Sequence, residues 1–156
     1  MLKQRILEQL KDNVQKELNQ LKTAYETTKN LVQAGDLKSD GKYDTRATEA
    51  NYLADGQRQR IHELEQELEI LAEVSLSKQA SASIGSLVTI KFNDMVKKYF
   101  IAPTAGGTML KLDDEVVLVI SVFSPLGDAV LNLEKNDSFE IELKGEIREY
   151  QLLDIY

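Results

Sequence analysis

Three aspartates, Asp36, Asp40 and Asp44, stand in the stretch Gly35-Asp36-Leu37-Lys38-Ser39-Asp40-Gly41-Lys42-Tyr43-Asp44, midway between two long segments of helical period. Carboxylates gathered where a chain reverses present negative charge and oxygen donors at the end of whatever arm carries them. The same residue type also serves a plainer purpose, because Asp is favoured at helix N-caps and in glycine-containing turns. Asp44 is placed to cap the second helical segment. Lys38, Lys42 and Arg46 lie close to the carboxylates and offset their charge.

The elements that must position this tip are legible on either side of it. Between about residues 3 and 34, Leu7, Leu10, Val14, Leu18, Leu21, Tyr25, Thr28 and Val32 recur at steps of three or four, which predicts a helix with a single apolar seam. No proline or glycine interrupts it before Gly35, a natural C-cap. The second segment, about 44 to 75, repeats the pattern with Ala47, Ala50, Leu53, Gln57, Ile61, Leu64, Leu68 and Leu71. A short connection between two such helices predicts an antiparallel hairpin, each limb extending on the order of 45 Å at about 1.5 Å per residue. The seam is leucine-rich at its base and thins toward the turn, where Ala47, Ala50 and Gln57 replace leucine, so the tip is expected to be the looser end. Gly56 inside the second helix is either a tolerated glycine on a solvated face or a place where a partner approaches closely, at a cost of about 1 kcal/mol relative to Ala.

Composition limits what the arm can be attached to. The 156 residues are 42% hydrophobic and 29% charged but only 6% aromatic, which suits a solvated helical element joined to a compact body. A formal net charge of -7 argues against strong independent nucleic-acid binding, which draws its affinity from Lys and Arg on phosphates. The absence of cysteine removes disulfides, zinc knuckles and thiol chemistry. His62 is the single histidine, and a lone imidazole without a second nitrogen or sulfur ligand makes a poor metal site. No apolar run approaches the roughly 18 residues that span a bilayer, so no membrane association and a cytoplasmic location are expected.

After Leu76 a serine-rich stretch reads as a linker, and from about residue 85 the period drops to two. Segments 86–92, 97–102, 116–121, 138–143 and 148–156 read as strands. Asn93-Asp94, Ala105-Gly106-Gly107, Asn136-Asp137 and Lys144-Gly145 supply turns, Leu143-Lys144-Gly145-Glu146 being a tight hairpin and Gly106-Gly107 another. Lys97 and Lys98 are read as protection of a sheet edge. Ser124 caps a short helix with Pro125 at its first position. The expected class is α+β: residues 1–76 an antiparallel coiled-coil hairpin, 77–84 a linker, and 85–156 a small, mostly antiparallel β domain with one short helix. No aromatic cluster and no Ser-His-Asp or metal-ligand set is evident in it, so an independent enzyme is disfavoured.

The order of these parts resembles the Gre family of bacterial transcript-cleavage factors. At the tip, Gly35 to Tyr43 is similar to the family's Gly-Asp-Leu-Lys-Glu-Asn-(small)-Glu-Tyr pattern, and Ser124-Pro125-Leu126-Gly127-Asp128-Ala129-Val130-Leu131 is similar to its Ser-Pro-(aliphatic)-x-x-Ala-(aliphatic)-(aliphatic) stretch. The likeness spans nearly the whole chain. It implies an FKBP-like second domain that rests on the rim of the secondary channel of RNA polymerase, with Ser124, Pro125 and Gly127 at the docking surface. The hairpin would enter the channel, where tip carboxylates help hold the polymerase's second Mg²⁺ during cleavage of backtracked RNA.

By that resemblance Asp36 and Asp40 are the metal-directed pair. Lys38, Ser39, Lys42, Asp44 and Arg46 are tip positions facing polymerase loops or nascent RNA. The factor would be no enzyme itself and would hold no permanent cofactor, acting on the polymerase's own hydrolytic activity. One departure matters: Ser39 occupies the position of the family's second carboxylate, a glutamate, and Asp40 is offset from it by one residue. The readings that follow are a cleavage stimulator, a channel-occupying regulator without cleavage, and an interaction module that works away from polymerase.

Overall fold

The computed structural model describes residues 2–33, 46–104 and 106–156. Asp36, Lys38, Ser39, Asp40, Lys42 and Asp44, together with the Gly35 cap, lie outside the described residues, and Arg46 is the first residue of the second helix. The elements are α1 (Leu2–Gln33), α2 (Arg46–Ala72), β1 (Leu87–Phe92), β2 (Met95–Ala102), β3 (Met109–Leu112), β4 (Glu115–Ser121), α3 (Pro125–Val130), β5 (Ser138–Leu143) and β6 (Glu146–Ile155). They fall into two compact units, one of Lys11–Glu69 and the other of Met1–Leu10 with Ile70–Tyr156.

In the helical unit, Arg60 donates to Glu17 at 3.1 Å and to Glu63 at 3.3 Å. Glu17 and Arg60 are nearly equidistant from the connection along their own helices, which is the register of an antiparallel hairpin. Val14, Leu18, Thr28 and Leu64 are buried here, and Ala50, Ala54, Gln57 and Ile61 half-buried. The α2 seam therefore steps by four and three through Ala50, Ala54, Gln57, Ile61 and Leu64. Leu53, expected in that seam, is 55% exposed. Choosing it over Ala54 rotates the seam by one residue, about 100° of helix, and apolarity pointed to the wrong neighbour.

The outer half of the unit is held by weaker means. Thr28 donates its hydroxyl to the Ala24 carbonyl at 3.0 Å, and Thr23 and Thr27 do the same to Asn19 and Thr23 at 3.1 Å. Such back-bonding satisfies the hydroxyl at slight expense to the helix. Gln57 Oε1 is buried in the seam without a hydrogen-bond partner among the described residues. His62 is exposed, as expected. Gly56 is exposed, and an added Cβ would meet nothing within 4 Å. Gly56→Ala should accordingly stabilise α2 by about 1 kcal/mol through backbone propensity alone, seen as a higher melting temperature in the helical circular-dichroism signal.

The second unit is built on a six-stranded sheet of order β3-β4-β2-β1-β6-β5. Every adjacent pair is antiparallel except β2 and β4, which run parallel. The mostly antiparallel expectation holds, with one strand more than the periodicity showed. β3 was missed because four residues are too few to display a period of two. The parallel pairing has a further consequence. It places β2 between β4 and β1, so Lys97 and Lys98 lie on an inner strand and not at an edge. It also separates β2 from β3, so the segment holding Gly106 and Gly107 is no hairpin but a connection passing β4, with the Gly107 amide donating to the Val119 carbonyl at 2.9 Å.

True hairpins close elsewhere. Leu143 pairs with Glu146 across Lys144 (φ 53°) and Gly145 (φ 79°), two left-handed residues that match the twist of the strands. Asn93 and Asp113 take φ of 55° and 54° between β1 and β2 and between β3 and β4. Ahead of β1 the chain joins the body at Ser81, which bridges to Glu134. Ala82 is fully buried there, its amide donating to Leu133 and its carbonyl accepting from Asn132, both at 2.8 Å.

Alternation divides the buried residues between the two faces of the sheet. Val88, Ile90, Ile101, Ile141, Tyr150 and Leu152 pack with Val130 of α3 on one side. On the other, Leu87, Phe100, Leu110, Val117 and Val119 are buried, in the same unit as Ile6, Leu10 and Leu71. Arg5 donates to Asp113 at 2.6 Å, tying the start of α1 to the β3–β4 turn and holding the Asp113 carboxyl below the usual carboxylate range.

Candidate functional site

Helix α3 follows β4 through a three-residue turn held by hydrogen bonds to Ser121. The Ser124 side chain accepts from the Gly127 amide at 3.1 Å and donates to the Ser121 carbonyl at 2.7 Å. The Ser124 amide also donates to Ser121 O at 3.0 Å, and the Phe123 amide donates to Ser121 Oγ at 3.1 Å. Ser124 is thus the expected N-cap, in extended conformation with Pro125 at the first helical position. A cap of this kind contributes about 1 kcal/mol, and Pro costs nothing where an amide has no helical partner.

Gly127 faces inward. A Cβ on it would lie 1.9 Å from Ser121 O, closer than any atom can approach. Its part is to let α3 sit against the end of β4, and its amide is already taken by Ser124. Of the three residues expected at a docking surface, Ser124 and Gly127 are therefore spent on holding the turn. What the turn presents outward is Phe123, 85% exposed, with the expected Pro125 exposed beside it. It was not singled out from sequence, although a signal exists. A hydrophobic residue just before an N-cap normally staples onto the fourth helical residue. Here that residue is Asp128, which offers no apolar partner, so the ring is left in solvent.

Beside the turn lies a cavity of about 390 Å³ whose walls include Tyr99, Ile120, Pro125, Leu126, Ile141 and Tyr150. Tyr150 is stacked between Phe92 and Phe139, at centroid distances of 4.9 and 5.4 Å, and Arg148 lies 5.5 Å from the Phe92 ring centre. The expectation that this domain gathers no aromatic cluster is corrected here. Phe92, Tyr99, Phe139 and Tyr150 are far apart in the chain but come from β1, β2, β5 and β6, four consecutive strands of the sheet. Burial, and secondarily Tyr150, raises the Tyr99 hydroxyl above the ordinary tyrosine range. No group of three or more metal-ligating side chains occurs among the described residues, and none of their helices is long and apolar enough to cross a membrane.

Comparison with known proteins bears on both halves of the chain. The family model described as "Transcription elongation factor, GreA/GreB, C-term" matches residues 77–156, which is the whole sheet with α3 and the stretch leading into it. Over 154 residues, 96% of this chain and 90% of the relative, the sequence is 27% identical to the transcription elongation factor GreA of Lachnoclostridium phytofermentans. Among solved structures, GreA factor homolog 1 of Thermus thermophilus is 20% identical with a TM-score of 0.36, 94% of each chain being covered. The GreA/GreB factor of Nitrosomonas europaea is 14% identical with a TM-score of 0.36, covering 69% of this chain and 91% of the other. The Ser-Pro turn and the sheet that carries it lie within the matched residues, and the chain belongs to the GreA/GreB family of transcription elongation factors.

Proposed function

We propose that this chain regulates transcription elongation by binding bacterial RNA polymerase, the helical hairpin entering the secondary channel and the Ser-Pro turn of the β unit docking at its rim. The observation that carries this is the match of residues 77–156 to the GreA/GreB model, together with an outward Phe123 on a turn held by the hydrogen bonds of Ser121 and Ser124. A ring so exposed has no folding role, and aromatic anchors of this kind dominate protein interfaces.

The tip would act by bringing carboxylates to the polymerase's centre. Asp36 and Asp40 are the pair that would add oxygen ligands to a weakly held Mg²⁺, with Lys38, Ser39, Lys42, Asp44 and Arg46 as the tip positions that would contact polymerase. The metal would be the polymerase's own and the hydrolysis likewise. Hard oxygen donors are what that ion selects. Ser39 favours a second reading, in which the arm occupies the channel without promoting cleavage, because a carboxylate shifted by one residue and shortened by a methylene is poorly matched to a site that tolerates only about 0.5 Å of looseness.

Stalled, backtracked elongation complexes from the host distinguish these readings. RNA shortened at its 3′ end on addition of the protein, and no longer shortened with Asp36→Ala, is the expected result for a cleavage stimulator. Slowed synthesis without shortening identifies the channel-occupying regulator, and failure to bind polymerase overturns both.

A further inference from the structure

The start of α1 carries a feature apart from the acidic tip and the Ser-Pro turn on which the proposed function rests. Lys3 is buried, only 7% exposed, and its ammonium has no hydrogen-bond partner among the described residues. An unpaired buried charge costs far more than an exposed one, so it either accepts a proton-free state or waits for an anion. Burial, and then the charge of Lys78, hold this ammonium below the ordinary lysine range.

Lys3 lines a cavity of about 380 Å³ with Leu2, Leu87, Lys98, Glu115 and Tyr156, all within one compact unit. The charges around it can be counted. Lys98 donates to Glu115 at 2.8 Å, and its ammonium lies 5.8 Å from the Tyr156 ring centre, so that cation is already compensated. No group among the described residues pairs with Lys3, and Lys78 adds a second positive charge close enough to act on it. The first turn of α1 contains no acidic residue, and a helix of 32 residues places partial positive charge at this end. The remaining walls, Leu2, Leu87 and the ring of Tyr156, are apolar. A cavity wall with one unpaired ammonium, apolar neighbours and the Glu115 carboxylate fits a singly charged anion with an apolar body better than a phosphate, whose second charge would meet Glu115.

We propose that this cavity binds a small organic monocarboxylate, the carboxylate on Lys3 and the apolar body against Leu2, Leu87 and Tyr156. Benzoate is the probe, titrated into the full chain near neutral pH while the amide ¹H–¹⁵N spectrum is followed. Saturable shifts centred on Leu2, Lys3, Leu87, Lys98 and Tyr156, with a dissociation constant on the order of 1 mM, are expected. Lys3→Met keeps the buried aliphatic stem and removes the charge, and should weaken binding about tenfold or more, as loss of a charge-assisted hydrogen bond does. Lys3→Arg should retain it within a few-fold. Shifts that never saturate, or that centre elsewhere in the wild-type chain, overturn the assignment without any variant. So do equal binding by Lys3→Met and tighter binding of inorganic phosphate than of benzoate.

Discussion

Gly127→Ala should destabilise the β unit by about 3 kcal/mol or more, the upper end of what overpacking costs, and lower its melting temperature by roughly 15 °C or more. The new methyl would lie 1.9 Å from the carbonyl oxygen of Ser121 and 3.0 Å from Ser124 Oγ. The first of these is backbone and cannot rotate away. To make room, α3 must withdraw from the end of β4, and withdrawal breaks the Ser124 bonds to Ser121 O and the Gly127 amide together. Thermal unfolding followed by near-ultraviolet circular dichroism reads the unit directly, since its tyrosines and phenylalanines are stacked in the sheet. An unchanged melting temperature would show that α3 sits less tightly than described. Gly56→Ala, with open space around its Cβ, should move stability the other way, so the pair isolates close approach from a general effect of replacing glycine.

Phe123→Ala should leave folding alone and weaken polymerase binding about 30-fold or more, the roughly 2 kcal/mol that separates an anchor residue from its surroundings. The ring is 85% exposed, so its removal changes stability by no more than about 0.5 kcal/mol. The backbone there is held by the Phe123 amide on Ser121 Oγ, a bond the substitution keeps. Competition binding to polymerase, with melting measured on the same sample, checks both halves. Equal affinity of wild type and variant would remove Phe123 from the docking surface and return attention to the cavity walls around Leu126 and Tyr99.

Much of the architecture was readable in advance because it rests on local rules. The α1 seam from Leu7 to Thr28 follows from steps of three and four, the cap at Ser124 from a hydroxyl before proline, and the Lys144-Gly145 turn from the need for left-handed residues. Spatial order is what local rules leave open. Leu53 was placed in the seam because hydrophobicity cannot choose between neighbours that differ by one step of rotation. Lys97 and Lys98 were placed at an edge because strand order is invisible to periodicity. The acidic tip, legible as a motif, lies outside the described residues.

By itself the sequence determined the element types, the reversal between two amphipathic helices, and the residues at which capping and turning are cheap, since each depends on a few consecutive side chains and their backbone preferences. Only the tertiary structure decided which groups meet. The parallel β2–β4 pairing set the sheet order, and strands far apart in the chain brought Phe92, Phe139 and Tyr150 into one stack. The close seat of α3 turned Gly127 from a surface candidate into a spacer and left Phe123 as the exposed group. Burial of Lys3 without a partner is of the same kind. Long-range packing strands a charge there that local sequence rules would have left in water.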